Sequence, residues 1–297
     1  MTAAEEGVLL LCCRLGDPES QPLTTAQFRE LGRRVRTSCM DGNPLAELSA
    51  AALRQLGYDE SQANRILALL SRTARLRDYV ARGQAQGIQP LTRLSPAYPD
   101  RLRQMGQEAS APVLFYRGDV SLLRRPAVAV VGSRQLLPEN EAFARQAGRL
   151  AAQEGLILVS GGAQGADLAA QNACLEHGGS CVIFVADHLN AHPSQVNTLY
   201  LSEGGYDCPF SPARALHRNG LIHMLGEKTL AAQCTFGSGG TWQGCMENLR
   251  RRWSELYVFA DGSPAMAALE ERGAVPVHRL ESLRALVPGQ VSLFDSP

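Results

Sequence analysis

From residue 127 onward, short uninterrupted apolar runs alternate with longer stretches in which apolar residues recur at steps of three and four. The runs AVAVV (127–131), LILVS (156–160), CVIFVA (181–186), TLAAQC (229–234), LYVFA (256–260) and VPVH (275–278) have the length and composition of strands buried on both faces. Helices are predicted between them near 139–154, 165–178, 193–203, 212–226, 240–252 and 264–272. Strand and helix in alternation predict a parallel sheet with right-handed crossovers, a Rossmann-like arrangement whose ligands bind at the carboxyl ends of its strands.

The earlier part of the chain carries a helical pattern. Thr24-Thr25 leads into AQFRELGRRV, followed by LAELSAAALRQLGY and SQANRILALLSRTARLRDYV, so residues 22–83 are predicted to form helices. Pro90, Pro96, Pro99, Pro112 and Pro126 then break up short apolar pieces such as VLFYRG, which predicts a connecting segment with one edge strand. The predicted organisation is a helical module at 1–83, a connecting segment at 84–126, a Rossmann-like domain at 127–288 and a tail at 289–297. The fold class is α/β: a Rossmann-like parallel sheet flanked by helices, preceded by a small all-helical domain.

Composition narrows the function classes. The longest apolar stretch, Gly7 to Cys13, is too short to cross a bilayer, and Glu5 and Glu6 stand where a signal peptide would be positive. The expectation is a cytoplasmic protein with no membrane partner. The eight cysteines form no CxxC pair and no metal-ligand spacing, so they are read as reduced thiols, and neither a metal nor a cofactor is expected. Lys+Arg 29 balances Asp+Glu 29, so a grip on nucleic acid has to come from a local patch. Residues 1–125 hold 17 Arg against 13 acids, and residues 126–297 hold 12 Lys+Arg against 16 acids.

Three glycine-rich turns follow predicted strands: Gly132-Ser133-Arg134, Ser160-Gly161-Gly162-Ala163-Gln164-Gly165-Ala166-Asp167, and Phe236-Gly237-Ser238-Gly239-Gly240-Thr241. Glycine directly after a strand lets backbone N–H groups and a helix N-terminus approach a phosphate, so the three together predict a phosphate-binding rim. No G-x-G-x-x-G follows the first strand and no acid closes the second, which argues against a dinucleotide oxidoreductase. No G-K-[ST] occurs, so a Walker-type nucleotidase lacks its lysine.

The run VAVVGSR and the later GLILVSGGAQGADLAAQNACLEHGGSCVIFVADHLN closely resemble the DprA/Smf family of DNA-processing proteins, whose pattern is a strand ending in VGSR and an SG-x-A-x-G-x-D loop. YPDRLRQM...APVLFYRGD (98–119), the segment His217-Arg218-Asn219-Gly220-Leu221-Ile222 and the GSGGT turn extend the resemblance over about 98–278. It implies a non-catalytic, dimeric protein of DNA processing and recombination that binds single-stranded DNA and hands it to a RecA-type recombinase. By position, Arg134 would meet a phosphate, Ser160–Asp167 would line the pocket, and Arg218 with Asn219 would add contacts. Arginine suits this task because its planar fork binds phosphate bidentately and stacks on a base. Asp167 reads as holding its loop or capping the next helix, because a carboxylate facing phosphate would repel it. The candidate binding set is therefore Gly132, Ser133, Arg134, Ser160, Gly161, Gly162, Gln164, Gly165, Asp167, Arg218, Asn219, Ser238, Gly239, Gly240 and Thr241, with no catalytic residue.

The chain departs from the family pattern at Gln164, where a basic residue is usual, at Gly220, where a second cation is missing, and at Gln171, where a histidine is usual. Fewer cations imply a weaker counterion-release contribution to binding. The C-terminal winged helix of many members is not expected here. The wider superfamily includes LOG-type nucleotide phosphoribohydrolases and nucleotide sensors, the alternative reading, whose P-G-G-x-G-T-x-x-E turn Gly239-Gly240-Thr241 partly resembles. Trp242 is read as a core or interface aromatic or as a base-stacking platform. His188 and His192 lack metal-ligand partners. In the tail, Gln290, Leu293 and Phe294 of QVSLF resemble the short motif that docks bacterial replication and repair proteins on the sliding clamp.

Overall fold

The computed structural model describes residues 1–38, 48–105 and 110–286. The chain folds as two compact units: the first is Met1–Arg117 with Asp187–Pro193 and Leu201–Pro209, and the second is Gly118–Ala186, Ser194–Tyr200 and Phe210–Pro297.

The first unit opens with helices α1 (Ala3–Cys12), α2 (Thr25–Thr37), α3 (Ala50–Gln55), α4 (Glu60–Leu70) and α5 (Thr73–Gln84). Three of them begin with reciprocal capping boxes, Thr2 with Glu5, Thr24 with Gln27 and Asp59 with Gln62, which satisfy N–H groups that a helix start leaves without partners. The apolar stretch from Gly7 forms the buried second half of α1 and ends at its C-cap Cys13, and Leu11 packs with Leu31, Leu53 and Ile66 in a helical core. Arg72 secures the corner after α1, donating to the carbonyls of Leu10 and Cys13 and to the Ser20 hydroxyl. Strand β1 (Ile88–Thr92), helix α6 (Asp100–Met105) and strand β2 (Val113–Gly118) follow. β1 and β2 pair antiparallel from Ile88 opposite Arg117 to Thr92 opposite Val113. Residues 84–126 thus supply two strands where the proline spacing predicts one, because Pro90 sits where its neighbour demands no N–H from it. Tyr79 stacks on Tyr206 at 4.4 Å and donates to Asp207 at 2.5 Å.

The second unit carries β3 (Ala127–Val131), α7 (Pro138–Gln153), β4 (Ile157–Ser160), α8 (Ala166–Glu176), β5 (Ser180–Val185), the opening residues of β6 (Thr198–Glu203), α9 (Pro212–Leu225), β7 (Lys228–Ala231), α10 (Gly239–Arg251), β8 (Glu255–Phe259), α11 (Pro264–Glu270) and β9 (Val275–Val277). The order β5-β4-β3-β7-β8-β9 is parallel throughout, with β6 beside β5. The chain runs outward from β3 through β4 to β5 and then returns to the other flank of β3 with β7. Such a reversal opens a crevice at the carboxyl ends of the strands on either side of it. The α/β architecture is the Rossmann-like sheet that the alternation predicts.

One predicted helix is corrected. Residues 193–203 contribute the strand β6, not a helix, and its pattern is buried through Ser202. Thr198 and Tyr200 favour extended backbone, and Asn197, in the left-handed region at φ 58°, turns the chain straight into the strand. At the amino end of β7, Lys228, the only lysine in the sequence, donates through Nζ to the carbonyls of Leu283 (2.9 Å), Arg284 (3.3 Å) and Leu286 (2.6 Å). No helix among the described residues is long and apolar enough to cross a membrane.

Candidate functional site

The carboxyl ends of β3, β4 and β7 converge on a cavity of about 470 Å³ that lies wholly within the second unit. β3 delivers Gly132, Ser133 and Arg134 to its wall, and the start of α10 delivers Ser238, Gly239, Gly240 and Thr241. α9 lays a third side across it, contributing Arg218 and Asn219. Asp167, from the first turn of α8, completes the set of sequence-predicted residues that meet there.

Hydrogen bonds tie these turns together. Thr241 Oγ1 donates to the Gly132 carbonyl at 2.9 Å, and Asn219 Nδ2 donates to the Gly240 carbonyl at 3.2 Å. Ser133 Oγ donates to the carbonyl of Gln233 at 3.3 Å. α10 begins at Ser238 without a side-chain cap, and α8 begins at Gly165 without one. The rim therefore presents the N-terminus of α10, whose N–H groups and dipole favour an anion, whereas the Ala166 N–H that opens α8 donates to the Ser133 carbonyl at 3.2 Å.

The two cations are held differently. Arg134 is exposed at the end of the β3 turn. Arg218 is fixed from below, its Nη1 donating to the carbonyls of Gly161 and Phe184. A side chain at position 161 would collide with that guanidinium, since a Cβ there would lie 1.6 Å from Nη1. Gly165, at φ 87°, brings the loop against the β3 turn so closely that a Cβ would lie 2.2 Å from the Ser133 carbonyl oxygen. Only glycine meets both demands.

Asp167 holds its own loop. Its Oδ2 accepts from the N–H groups of Gly161 (3.0 Å) and Ala163 (3.2 Å). Burial pushes its carboxyl up to about 6, against the opposing pull of Arg218, those two N–H groups and Arg134. His223, also in the wall, is buried, which brings its imidazole down to about 4, and its Nδ1 lies 3.2 Å from Thr229 Oγ1.

Five sequence-predicted residues are not among those that line the cavity. Ser160 is buried and its hydroxyl accepts from Gln171 Nε2. That pair also explains Gln171: it supports the end of β4 from inside. Gly161, Gly162 and Gly165 shape the loop, and Gln164 is exposed outside the lining set. Gln290, Leu293 and Phe294 lie outside the described residues. Trp242 is turned away from the cavity: it is buried, packs 5.1 Å from Phe236, and borders a separate open depression of about 700 Å³ with Met246 and Leu249. Among the described residues no cluster of three or more His, Cys, Asp or Glu is arranged to hold a metal ion.

Sequence reasoning missed an apolar wall made by Phe210, Pro212, Ala215, Leu216 and Ile222. A signal for Ala215 and Ile222 was present: 215, 218, 219, 222 and 223 recur at three- and four-residue steps along α9, so they share one helix face.

A doubly wound sheet with glycine-rich turns around a cavity at its strand reversal defines a Rossmann-like α/β protein. The family model for DNA recombination-mediator protein A matches residues 89–251, more than half of the chain, and the chain belongs to that family. It is 32% identical over 160 residues to DNA processing protein DprA of Streptococcus pneumoniae, a match covering 49% of this chain and 54% of the relative. The chain thus spans about half the length of the curated relative it matches. The X-ray structure of DprA from Streptococcus pneumoniae superposes with a TM-score of 0.67 at 21% identity, over 86% of this chain and 95% of that one. A structure of DNA processing protein A from Helicobacter pylori, concerned with the single-stranded DNA binding mode of that protein, gives a TM-score of 0.54 at 24% identity, over 65% of this chain and 92% of that one. At these identities both likenesses show the fold.

Proposed function

We propose that this protein binds single-stranded DNA at the cavity and acts in DNA processing and recombination, holding or loading the strand without altering it chemically. The observation that carries the reading is the coincidence of the family match at 89–251 with all three glycine-rich turns of the rim. The Helicobacter pylori relative supports it as a protein with a single-stranded DNA binding mode. The proposed phosphate contacts are Arg134, Ser133, the N–H groups of Gly132 and Gly239–Thr241, and the hydroxyl of Ser238, with Arg218 and Asn219 on the α9 side. Ser160, Gly161, Gly162, Gln164, Gly165 and Asp167 are proposed to shape and hold the loop. The LOG-type hydrolase needs a glutamate after the glycine turn, and the first turn of α10 carries no acid.

The finer parts of this proposal are a homodimer, delivery of the strand to a RecA-type recombinase in the cytoplasm, and docking of Gln290, Leu293 and Phe294 on a sliding clamp. Each comes from the family resemblance or the tail motif.

The test is titration of the purified protein with a labelled single-stranded oligonucleotide and the matching duplex at several salt concentrations. Preference for the single strand that weakens with salt is the expected result. Absence of strand binding at low salt overturns the proposal.

A further inference from the structure

His223 stands one turn beyond Asn219 on the face of α9 that lines the cavity, and it is 1% exposed. Its Nδ1 is engaged behind the wall, 3.2 Å from Thr229 Oγ1 on β7. The polar chain continues from Thr229 Oγ1 to Ser254 Oγ at 2.7 Å, and Ser254 Oγ accepts from Asn248 Nδ2 at 3.2 Å.

That chain has a direction. Asn248 Oδ1 accepts from the Ser254 N–H at 2.9 Å, which fixes the end of the amide that donates. With Asn248 Nδ2 donating into it, the Ser254 hydroxyl is left to donate to Thr229 at 2.7 Å, since the way back to Asn248 Oδ1 is 3.4 Å. Thr229 in turn donates to Nδ1, so the proton of the imidazole sits on Nε2. Burial keeps the ring neutral at pH 7 by bringing it down to about 4.

Among the described residues no acceptor bonds to that Nε2–H. A Cβ on Gly244 of α10 would lie 3.0 Å from Nε2, so the glycine leaves the nitrogen uncovered. A buried N–H without an acceptor is costly, and the cavity beside it offers mainly further donors: the N–H groups at the uncapped start of α10 and the Arg218 guanidinium. The carboxylate of the wall, Asp167, already accepts from the N–H groups of Gly161 and Ala163. A ligand that brings several acceptor oxygens suits such a set, and a phosphodiester is one. Resting on the strand-binding reading proposed above, we infer that His223 is an uncharged phosphate ligand of this site, its Nε2–H donating to a non-bridging oxygen of the bound strand alongside the N–H groups of α10.

An uncharged donor adds affinity without releasing a counterion, which separates its contribution from that of Arg134. The experiment titrates the full chain and its His223→Asn, His223→Leu and His223→Gln variants with a labelled thymidine homopolymer at several salt concentrations, with thermal midpoints recorded alongside. Asn keeps the bond to Thr229 and loses the donor at Nε2, whereas the longer Gln amide carries an N–H to the Nε2 position. The Asn and Leu variants bind about ten-fold more weakly than wild type, Gln recovers most of that loss, and all salt slopes stay as in wild type. A second measurement needs no variant to fold: in wild type labelled with 15N-histidine, the Nε2 resonance of His223 moves when the strand is added. Wild-type affinity in the Asn variant, a loss that Gln does not recover, or an Nε2 resonance unmoved by a saturating strand overturns the inference, and Nε2 then holds a water only. Strand binding by wild type stands in those cases; if wild type binds no strand at low salt, both readings fall together.

Discussion

Arg218 donates through Nη1 to the carbonyl of Gly161, in the space that a side chain on residue 161 would occupy. The glycine after β4 thus does more than turn the chain: it is the socket that sets the height of a guanidinium on α9. Because backbone carbonyls hold that cation, its position is fixed before any ligand arrives, which lowers the ordering cost of binding.

Gly161→Ala is therefore expected to destabilise the fold by about 1–3 kcal/mol by displacing the guanidinium. In an Arg218→Ala background the same substitution should cost much less. Urea unfolding of the four proteins in the double-mutant cycle checks this, and purely additive effects would show that the two residues are uncoupled.

Arg134 is the exposed cation of the rim. Arg134→Ala should weaken single-strand binding and reduce the slope of log K against log salt by about one phosphate contact. An unchanged slope and affinity in fluorescence anisotropy titrations would remove Arg134 from the site.

Two buried groups give the stability opposite dependences on pH. Asp167 is raised in the folded state from an ordinary 3.8 to about 6, so the folded protein binds the extra proton between those values. Stability from this group is present below about pH 4 and lost as pH rises to about 6, by on the order of 3 kcal/mol. His223 is lowered from 6.5 to about 4, so its contribution is present above about 6.5 and lost as pH falls towards 4. Thermal midpoints of Asp167→Asn should rise relative to wild type across pH 4 to 6, and those of His223→Asn should rise relative to wild type as pH falls from 6.5 to 4. Midpoint differences that stay flat with pH would rule out these assignments.

Lys228→Met should destabilise the second unit by about 2–4 kcal/mol, because three carbonyls lose a charged donor. Denaturant unfolding measures it, and Lys228→Arg should recover only part of the loss, since a planar fork cannot reproduce the three-way geometry of an ammonium.

The strands of the doubly wound sheet were legible because burial on both faces leaves continuous apolar runs such as AVAVV and CVIFVA. β6 was not, since Pro193 and the polar residues after it mimic a helix start, and only the backbone of Asn197 reveals the turn into a strand. The rim was legible at Gly132–Arg134 and Ser238–Thr241, where glycine and position relative to a strand carry the signal. Ser160 was misplaced on the wall because strand parity at the end of β4, which turns its hydroxyl inward to Gln171, is not written in the loop motif. Phe210 was missed because an aromatic before a helix cap reads as packing, whereas it is exposed.

Lys228 has one further implication. With the sole lysine committed to the carbonyls beyond Leu283, the charge at the rim is carried by Arg134 and Arg218. Guanidinium does not deprotonate in proteins, and it is not a target of the acylation that neutralises amines. Within the proposed reading, the cationic part of the attraction for a strand is therefore permanent: lysine acetylation cannot switch it off, and pH acts on the rim through Asp167, not through the arginines. Release of the strand is then set by its own dissociation rate or by a competitor with a stronger hold on the same DNA, not by neutralising the cations.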